Sequence, residues 1–138
     1  MNITQIPFNT FIAILPSKTD DTVLELRFTD NMKNHLGTFH ASAQFALAEA
    51  CSGLSLQHHF PHLAESVAPV LRKTGTKFKK PAQSDIHAKA SISLEEKEKF
   101  TQQFAKKGRA TITVFVEVAD DNGIVTMTGD YEWFVQRI

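Results

Sequence analysis

Alternation of apolar and polar residues along much of the chain predicts a protein built largely from half-buried β-strands. The first alternating segment runs from Thr22 to Phe28, and later ones run from Ile86 to Ile92 and from Ile112 to Val118. The sequence Asp120-Asp121-Asn122-Gly123 predicts a tight turn, which a last strand from Ile124 to about Val135 would follow.

Two other apolar segments are less regular. The segment from Val67 to Phe78 is interrupted by Pro69 and Gly75, which indicates an edge strand or a strand with a bulge. The segment from Phe8 to Leu15 is apolar, but its periodicity does not decide between a short helix and a strand.

Two helices are expected between these strands. After a loop from Asp30 to Thr38, Phe39 to about His59 reads as one helix of about five turns, rich in small residues. On a helical wheel one apolar arc is made of Phe39, Ala43, Ala46, Leu47, Ala50 and Leu54. The charged segment from Leu94 to Lys107 carries Phe100 and Phe104 four residues apart, which predicts a short amphipathic helix on the surface.

The order of these elements predicts the fold class. Several strands and one long, small-residued helix favour an α+β protein in which an antiparallel sheet wraps around that helix. No repeat, low-complexity tract or linker divides the chain, so residues 1–138 are expected to form a single domain.

Composition narrows the classes of function. Equal numbers of acidic and basic residues give a net charge of zero, so no overall field favours nucleic acid or an anionic membrane. The single cysteine, Cys51, excludes an internal disulfide and is expected to be a buried apolar residue. No apolar run reaches the length of a membrane span, and the N-terminus lacks the features of a secretory signal. We expect a soluble cytoplasmic protein.

One carboxylate is the strongest indication of chemistry. Glu49 is the only Asp, Glu, Lys or Arg between Lys33 and Glu65, in the middle of the long helix. An ionised carboxylate on an otherwise uncharged buried helix costs free energy unless another group compensates for it. Burial should also raise its pKa towards the range useful to a general base at neutral pH.

The spacing of three polar residues resembles a known family. Asn34 is followed six residues later by His40, and His40 is followed nine residues later by Glu49. The same spacings occur in hotdog-fold acyl-CoA thioesterases related to those of the phenylacetate pathway, where the histidine begins a His-Gly-Gly motif. Gly108-Arg109-Ala110 and Lys80-Pro81-Ala82 also resemble this superfamily, and the resemblance extends from about Pro7 to Val135.

One feature departs from that pattern, and another resembles a particular branch. The two glycines after the histidine are replaced by Ala41 and Ser42, which lose the closer approach to substrate that glycine permits. The charged insert before Gly108 resembles an uncharacterised hotdog branch known only as a domain of unknown function.

The resemblance implies a role for each of these residues. Glu49 would activate water or attack the thioester, while the Asn34 amide and the backbone N–H of Ala41 would bind the developing oxyanion. His40 would lie beside them. Substrate contacts are expected from Gly37, Ser42 and Phe45, and from Lys79 and Lys80 towards the phosphates of coenzyme A.

The assembly follows from the same resemblance. His40 and Glu49 lie about half a turn apart around one helix, so the site would form between two chains of a homodimer or homotetramer. We expect a monomeric variant to be inactive. No metal is expected, because His58, His59 and His62 have no Cys or carboxylate nearby, and the only cofactor expected is coenzyme A as part of the substrate.

Structural roles remain open for the same residues. Glu49 could be a buried carboxylate satisfied by an Arg or Asn, Asn34 could cap a turn, and His40 could position the loop. Two other functions also remain open. A hotdog dehydratase or hydratase would use His35 and Glu49, which are fourteen residues apart, and a non-catalytic module would bind acyl-CoA without turnover.

Overall fold

The computed structural model describes all residues, Met1–Ile138, and contains one antiparallel sheet and one long helix. The helices are α1 (Pro7–Phe11), α2 (Ala41–His59) and α3 (Leu94–Lys107), with short 3₁₀ helices at Ile3–Gln5, Asp30–Met32 and Pro61–Leu63. The strands are β1 (Leu15–Pro16), β2 (Leu24–Leu26), β3 (Val67–Phe78), β4 (Ile86–Ser91), β5 (Arg109–Asp120) and β6 (Val125–Arg137). Their order across the sheet is β1-β2-β4-β5-β6-β3, which confirms the α+β prediction.

Strand β3 forms one edge of the sheet and contains a bulge, so both alternatives predicted for Val67–Phe78 are present. It pairs only with β6, and the register shifts between Leu71 and Lys73. None of its residues is fully buried. The ambiguous segment before the first predicted strand divides into the helical turns of α1, at Pro7–Phe11, and the short strand β1.

Helix α2 begins at Ala41, two residues later than predicted. Phe39 is extended rather than helical, because its N–H donates to Ala82 O (2.9 Å) and it forms a bridge with Lys33. His40 then caps the helix. Phe39 is nevertheless buried, so its apolar character reflects the core and not the helix.

The face of α2 that packs on the sheet is not the apolar arc of the helical wheel. The most deeply buried row is rotated by about a third of a turn and consists of Gln44, Leu47, Ala48, Cys51, Ser52 and Ser55. Two of its polar members accept hydrogen bonds from the sheet: Thr126 Oγ1 donates to Gln44 Oε1 (2.7 Å) and Trp133 Nε1 donates to Ser52 Oγ (2.9 Å). The small side chains let helix and sheet approach closely.

Helix α3 has the predicted bounds and covers one end of the sheet. Ser93 caps its N-terminus, and Gly108 ends it in the left-handed conformation (φ +67°) that glycine adopts without strain. Phe100 and Phe104 are buried, with the ring of Phe100 5.0 Å from that of Phe60 at the end of α2. The insert therefore closes the core beside the C-terminal end of α2.

Candidate functional site

The loop before α2 is organised by the side chain of Asn34. Its Oδ1 accepts the N–H groups of Leu36 (2.9 Å) and Thr38 (3.1 Å). Its Nδ2 donates to Thr38 Oγ1 (2.9 Å) and to Phe39 O (3.3 Å). Both amide protons are therefore engaged inside the loop, and Asn34 would have to release one of them to bind an oxyanion. In a single chain its geometry is that of a loop-positioning residue.

The N-terminus of α2 presents one free backbone donor. His40 Nδ1 accepts the N–H of Ser42 (3.0 Å), so the imidazole acts as the helix cap. The N–H of Ala41, in the first turn, has no acceptor in the chain. Free N–H groups and the positive end of the helix dipole favour a negatively charged group here. Gly37 lies in the preceding turn with φ +77°. Glycine adopts this left-handed conformation without strain, so the turn alone accounts for a glycine at this position and no substrate contact is needed to explain it.

Glu49 lies on the side of α2 that does not pack on the sheet, and it is half-buried. No lysine, arginine or histidine forms an ion pair with it. Burial raises the pKa of its carboxyl group above the ordinary value of 4.5, with no compensating charge or hydrogen bond. The predicted structural alternative, a carboxylate satisfied by Arg or Asn, is therefore not what a single chain contains.

Sequence reasoning did not identify three residues that support the turn of α2 carrying Glu49. Tyr131 and Trp133 lie on the inner face of β6, and the third residue is Ser52 of α2. Tyr131 is fully buried, its hydroxyl donates to Phe45 O (3.1 Å), and its ring is 5.4 Å from the ring of Phe45. Burial raises the pKa of the Tyr131 hydroxyl, and the negative charge of Glu49 raises it further. The hydroxyl is therefore a neutral donor that fixes the backbone one turn before Glu49.

Trp133 and Ser52 form a second support. Trp133 Nε1 donates to Ser52 Oγ (2.9 Å), and Ser52 Oγ donates to the backbone oxygen of Glu49 (2.7 Å). The chain of hydrogen bonds holds the turn of α2 that carries Glu49 against β6. The alternation of inward-facing and outward-facing residues along β6 could have indicated this support, because an inward-facing Tyr or Trp needs a hydrogen-bond partner for its polar atom.

Replacing Trp133 with phenylalanine tests this support. The change keeps an aromatic ring in the core but removes the N–H that donates to Ser52. We expect the free energy of unfolding to fall by about 1 kcal/mol or more. Because Ser52→Ala removes the same hydrogen bond, the double variant should be less destabilised than the sum of the two single variants in urea denaturation. Additive effects would show that the two side chains are not coupled.

The predicted coenzyme A contacts lie near the N-terminal end of α2. The side chains of Lys79 and Lys80 are exposed, and both backbone N–H groups point at Thr126 O (2.8 and 3.3 Å). Thr126 in turn bonds Gln44 in the first turns of α2. The two lysines are therefore held beside the helix end that also carries the free N–H of Ala41.

The remaining predicted residues are dispersed in a single chain. Ser42 is exposed on the first turn of α2, and His35 is exposed in the preceding loop without a contact to Glu49. His58 and His59 lie in the last turn of α2. No group of three or more His, Cys, Asp and Glu side chains is close enough to hold a metal ion. None of the helices combines the length and apolar composition needed to cross a bilayer.

Solved structures share this architecture over nearly the whole chain. A protein of unknown function from Pseudomonas aeruginosa, described as a probable thioesterase, has 19% identity and a TM-score of 0.78 over 99% of this chain and 91% of its own. A thioesterase from Haemophilus influenzae has 15% identity and a TM-score of 0.74 over 98% and 86%. A Bacillus halodurans protein solved with CoA has 20% identity and a TM-score of 0.71 over 93% and 74%.

These similarities establish the hotdog fold, as the resemblance in the sequence implied. No curated protein sequence matches the chain significantly. The model of one family, described as a domain of unknown function (DUF4442), matches residues 7–135. This chain is therefore a hotdog-fold member of the DUF4442 family.

Proposed function

We propose that the protein hydrolyses an acyl thioester, of coenzyme A or of an acyl carrier, with Glu49 as the catalytic carboxylate. The observation that carries the proposal is a half-buried carboxylate without an ion-pair partner and with a raised pKa, on the central helix of a hotdog fold. The thioesterase descriptions of two structural neighbours and the CoA bound to a third support the same chemistry.

The reaction needs a base or nucleophile and a donor for the oxyanion. Ionised Glu49 takes a proton from water as the water oxygen attacks the thioester carbon, or attacks that carbon itself. The negative charge that develops on the carbonyl oxygen is stabilised by the N–H of Ala41, which is free and lies at the positive end of α2. Collapse of the intermediate breaks the carbon–sulfur bond, and on the general-base route the proton that Glu49 took from water passes to the leaving thiolate, which gives a thiol and a carboxylic acid. If Glu49 attacks directly, collapse leaves a mixed anhydride with Glu49, which water then hydrolyses to free the carboxylic acid.

The site is proposed to include a second copy of the chain, as a dimer or tetramer. Ala41 and Glu49 are eight residues apart on one helix, a rise of about 12 Å, so they do not reach one carbonyl group together. Two antiparallel copies of α2 would bring the Ala41 of one chain to the Glu49 of the other. The exposed edge strand β3 offers unpaired backbone groups through which two sheets could join.

The other predicted residues have supporting roles in this proposal. Asn34 and His40 hold the loop and the first turn of α2 in place. Gly37 and Ser42 border the path of the substrate to Ala41, and Phe45 lies one turn from Glu49 on the same side of the helix. Lys79 and Lys80 are free to pair with the phosphates of coenzyme A.

Release of coenzyme A from a series of acyl-CoAs, followed by chromatography, tests the proposal. Cys51 is fully buried and burial raises the pKa of its thiol to about 12, so a thiol reagent should also report turnover with little background from folded protein. Saturable binding without release would indicate a binding module. Hydration of an enoyl-CoA that is lost in His35→Ala would indicate the hydratase alternative. Either result would overturn the thioesterase proposal.

The pH dependence of kcat/KM is a further prediction. Glu49 must be ionised to act as base or nucleophile, and burial raises its pKa above 4.5. The rate should therefore fall as the pH is lowered through that raised value, with the midpoint of the acidic limb above 4.5. An acidic limb at or below the ordinary carboxyl pKa would contradict the assignment of Glu49.

A further inference from the structure

An apolar cavity of about 160 Å³ opens beside the C-terminal half of α2. Its walls come from α2, the N-terminal segment, α3, and the adjoining parts of β3 and β6, and eleven of its fourteen lining residues are hydrophobic. The lining residues include Ile3, Gly53, Leu56, Phe60, Phe100 and Trp133. A cavity of this size has room for a small apolar group. Gln57 is the one lining residue with an amide side chain, and its Nε2 donates to Met1 O (3.1 Å).

The cavity lies on the same side of α2 as Glu49. Gly53, Leu56 and Phe60 follow Glu49 at intervals of four, three and four residues, which places all four on one side of the helix. Gly53 is about 6 Å from Glu49 along the helix axis. Trp133 joins the two features, because its ring lines the cavity and its Nε1 is linked through Ser52 to the backbone of Glu49.

The cavity differs in chemistry from the N-terminal end of α2. That end offers the free N–H of Ala41 and the exposed side chains of Lys79 and Lys80, which suit an anionic carrier. In the site proposed between two antiparallel copies of α2, these groups come from one chain, and Glu49 with the cavity beside it comes from the other. A thioester held at that site would therefore have its carrier bound by the chain that supplies Ala41 and its acyl group directed to the cavity of the chain that supplies Glu49.

We propose that this cavity binds the acyl group of the thioester and limits it to a small one. The proposal rests on the thioesterase function above and adds the substrate class. A dry cavity of about 150 Å³ accommodates benzene, so the acyl group expected here is a straight chain of about six carbons or a phenyl-bearing group. Longer chains would press against Phe60 and Phe100, whose rings line the cavity with their centroids 5.0 Å apart.

Gly53 determines the width of the cavity at the end nearest Glu49. A Cβ atom built on Gly53 would lie 3.7 Å from Ile3 Cδ1 and 3.7 Å from Trp133 Cζ2, which is ordinary van der Waals contact. Gly53→Ala should therefore fold without displacement, and alanine also favours the helix more than glycine does. The added methyl group would occupy space that the wild type leaves to the acyl group.

Two substitutions should move chain-length selectivity in opposite directions. In a series from acetyl-CoA to lauroyl-CoA, the wild type should have its highest kcat/KM near hexanoyl-CoA. Gly53→Ala should lower the ratio of kcat/KM for hexanoyl-CoA to that for butyryl-CoA by about fourfold for each methylene group excluded. Leu56→Ala, which enlarges the cavity, should raise the ratio for decanoyl-CoA to hexanoyl-CoA by about tenfold or more.

Leu54→Ala is the matched control. It makes the same truncation on the same helix, but Leu54 does not line the cavity, so its selectivity ratios should equal those of the wild type. A ratio of two rates from one preparation does not depend on the fraction of protein that is folded.

The outcomes separate the two proposals. Hydrolysis with an optimum that neither Gly53→Ala nor Leu56→Ala moves would overturn the cavity assignment and leave the thioesterase function intact. Equal shifts in Leu54→Ala would do the same. No hydrolysis by the wild type of any acyl-CoA, or of the same acyl groups on an acyl carrier protein, would overturn both.

Discussion

Glu49→Gln is expected to lower kcat for thioester hydrolysis by about 10²- to 10⁴-fold, the range typical of a lost general base. Glutamine has nearly the same size and occupies the same half-buried position, but it neither accepts a proton from water nor attacks a carbonyl carbon. Release of coenzyme A under saturating substrate measures the loss. Glu98→Gln, which neutralises an exposed carboxylate on α3, is the matched control and should retain wild-type activity.

The stability of the same variant separates a catalytic role from a structural one. In the interval between pH 4.5 and the raised pKa of Glu49, the folded protein holds a proton that the unfolded chain has released. The free energy of unfolding therefore falls as pH rises through that interval. Glutamine does not ionise, so the variant should be at least as stable as the wild type at neutral pH. A less stable variant would indicate that Glu49 has a structural partner.

The pattern of charged residues was sufficient to identify Glu49, but it did not predict where the helix that carries Glu49 begins. A lone carboxylate in a long uncharged segment stands out in any sequence. The start of α2 was predicted two residues early because Phe39 extends the apolar pattern, and nothing local reveals that its N–H is bound by Ala82 in a distant loop. Such a tertiary hydrogen bond overrides local propensity.

The face of α2 against the sheet shows a second limit of sequence reasoning. A helical wheel treats Gln44 and Ser52 as outward-facing because they are polar. In the structure they are buried, because Thr126 and Trp133 donate hydrogen bonds to them. Both donors lie on β6, more than eighty residues away in the sequence. The apolar cavity is equally nonlocal, because its walls come from five parts of the chain. Helix α3 and the four longer strands were predicted well because their patterns are local, whereas the strand predicted from Thr22 to Phe28 is shorter, at Leu24–Leu26.

Ala41→Pro is the second change with a large expected effect. Proline at the first helical position keeps the helix, and His40 already has the extended backbone that a residue before proline adopts (φ −63°, ψ 138°). Proline removes only the backbone N–H proposed to bind the oxyanion. We expect kcat to fall by about 10²- to 10³-fold with little change in stability. Ala41→Ser, which retains the N–H, is the control and should stay close to wild type.

Mixing the two inactive variants tests whether one site is shared between chains. If Ala41 and Glu49 of the same chain served one site, every site in a mixed dimer of Ala41→Pro and Glu49→Gln chains would lack one group, and no activity would return. If the groups come from different chains, each mixed dimer contains one site in which both groups are intact. Random exchange of subunits in equal amounts should then restore about a quarter of wild-type activity, since half of the dimers are mixed and each has one working site of two. Co-expression or partial denaturation and refolding allows the exchange. Recovery measured against each variant treated alone would establish that α2 helices from two protomers build the site, whereas no recovery would contradict a site that combines Ala41 of one chain with Glu49 of the other.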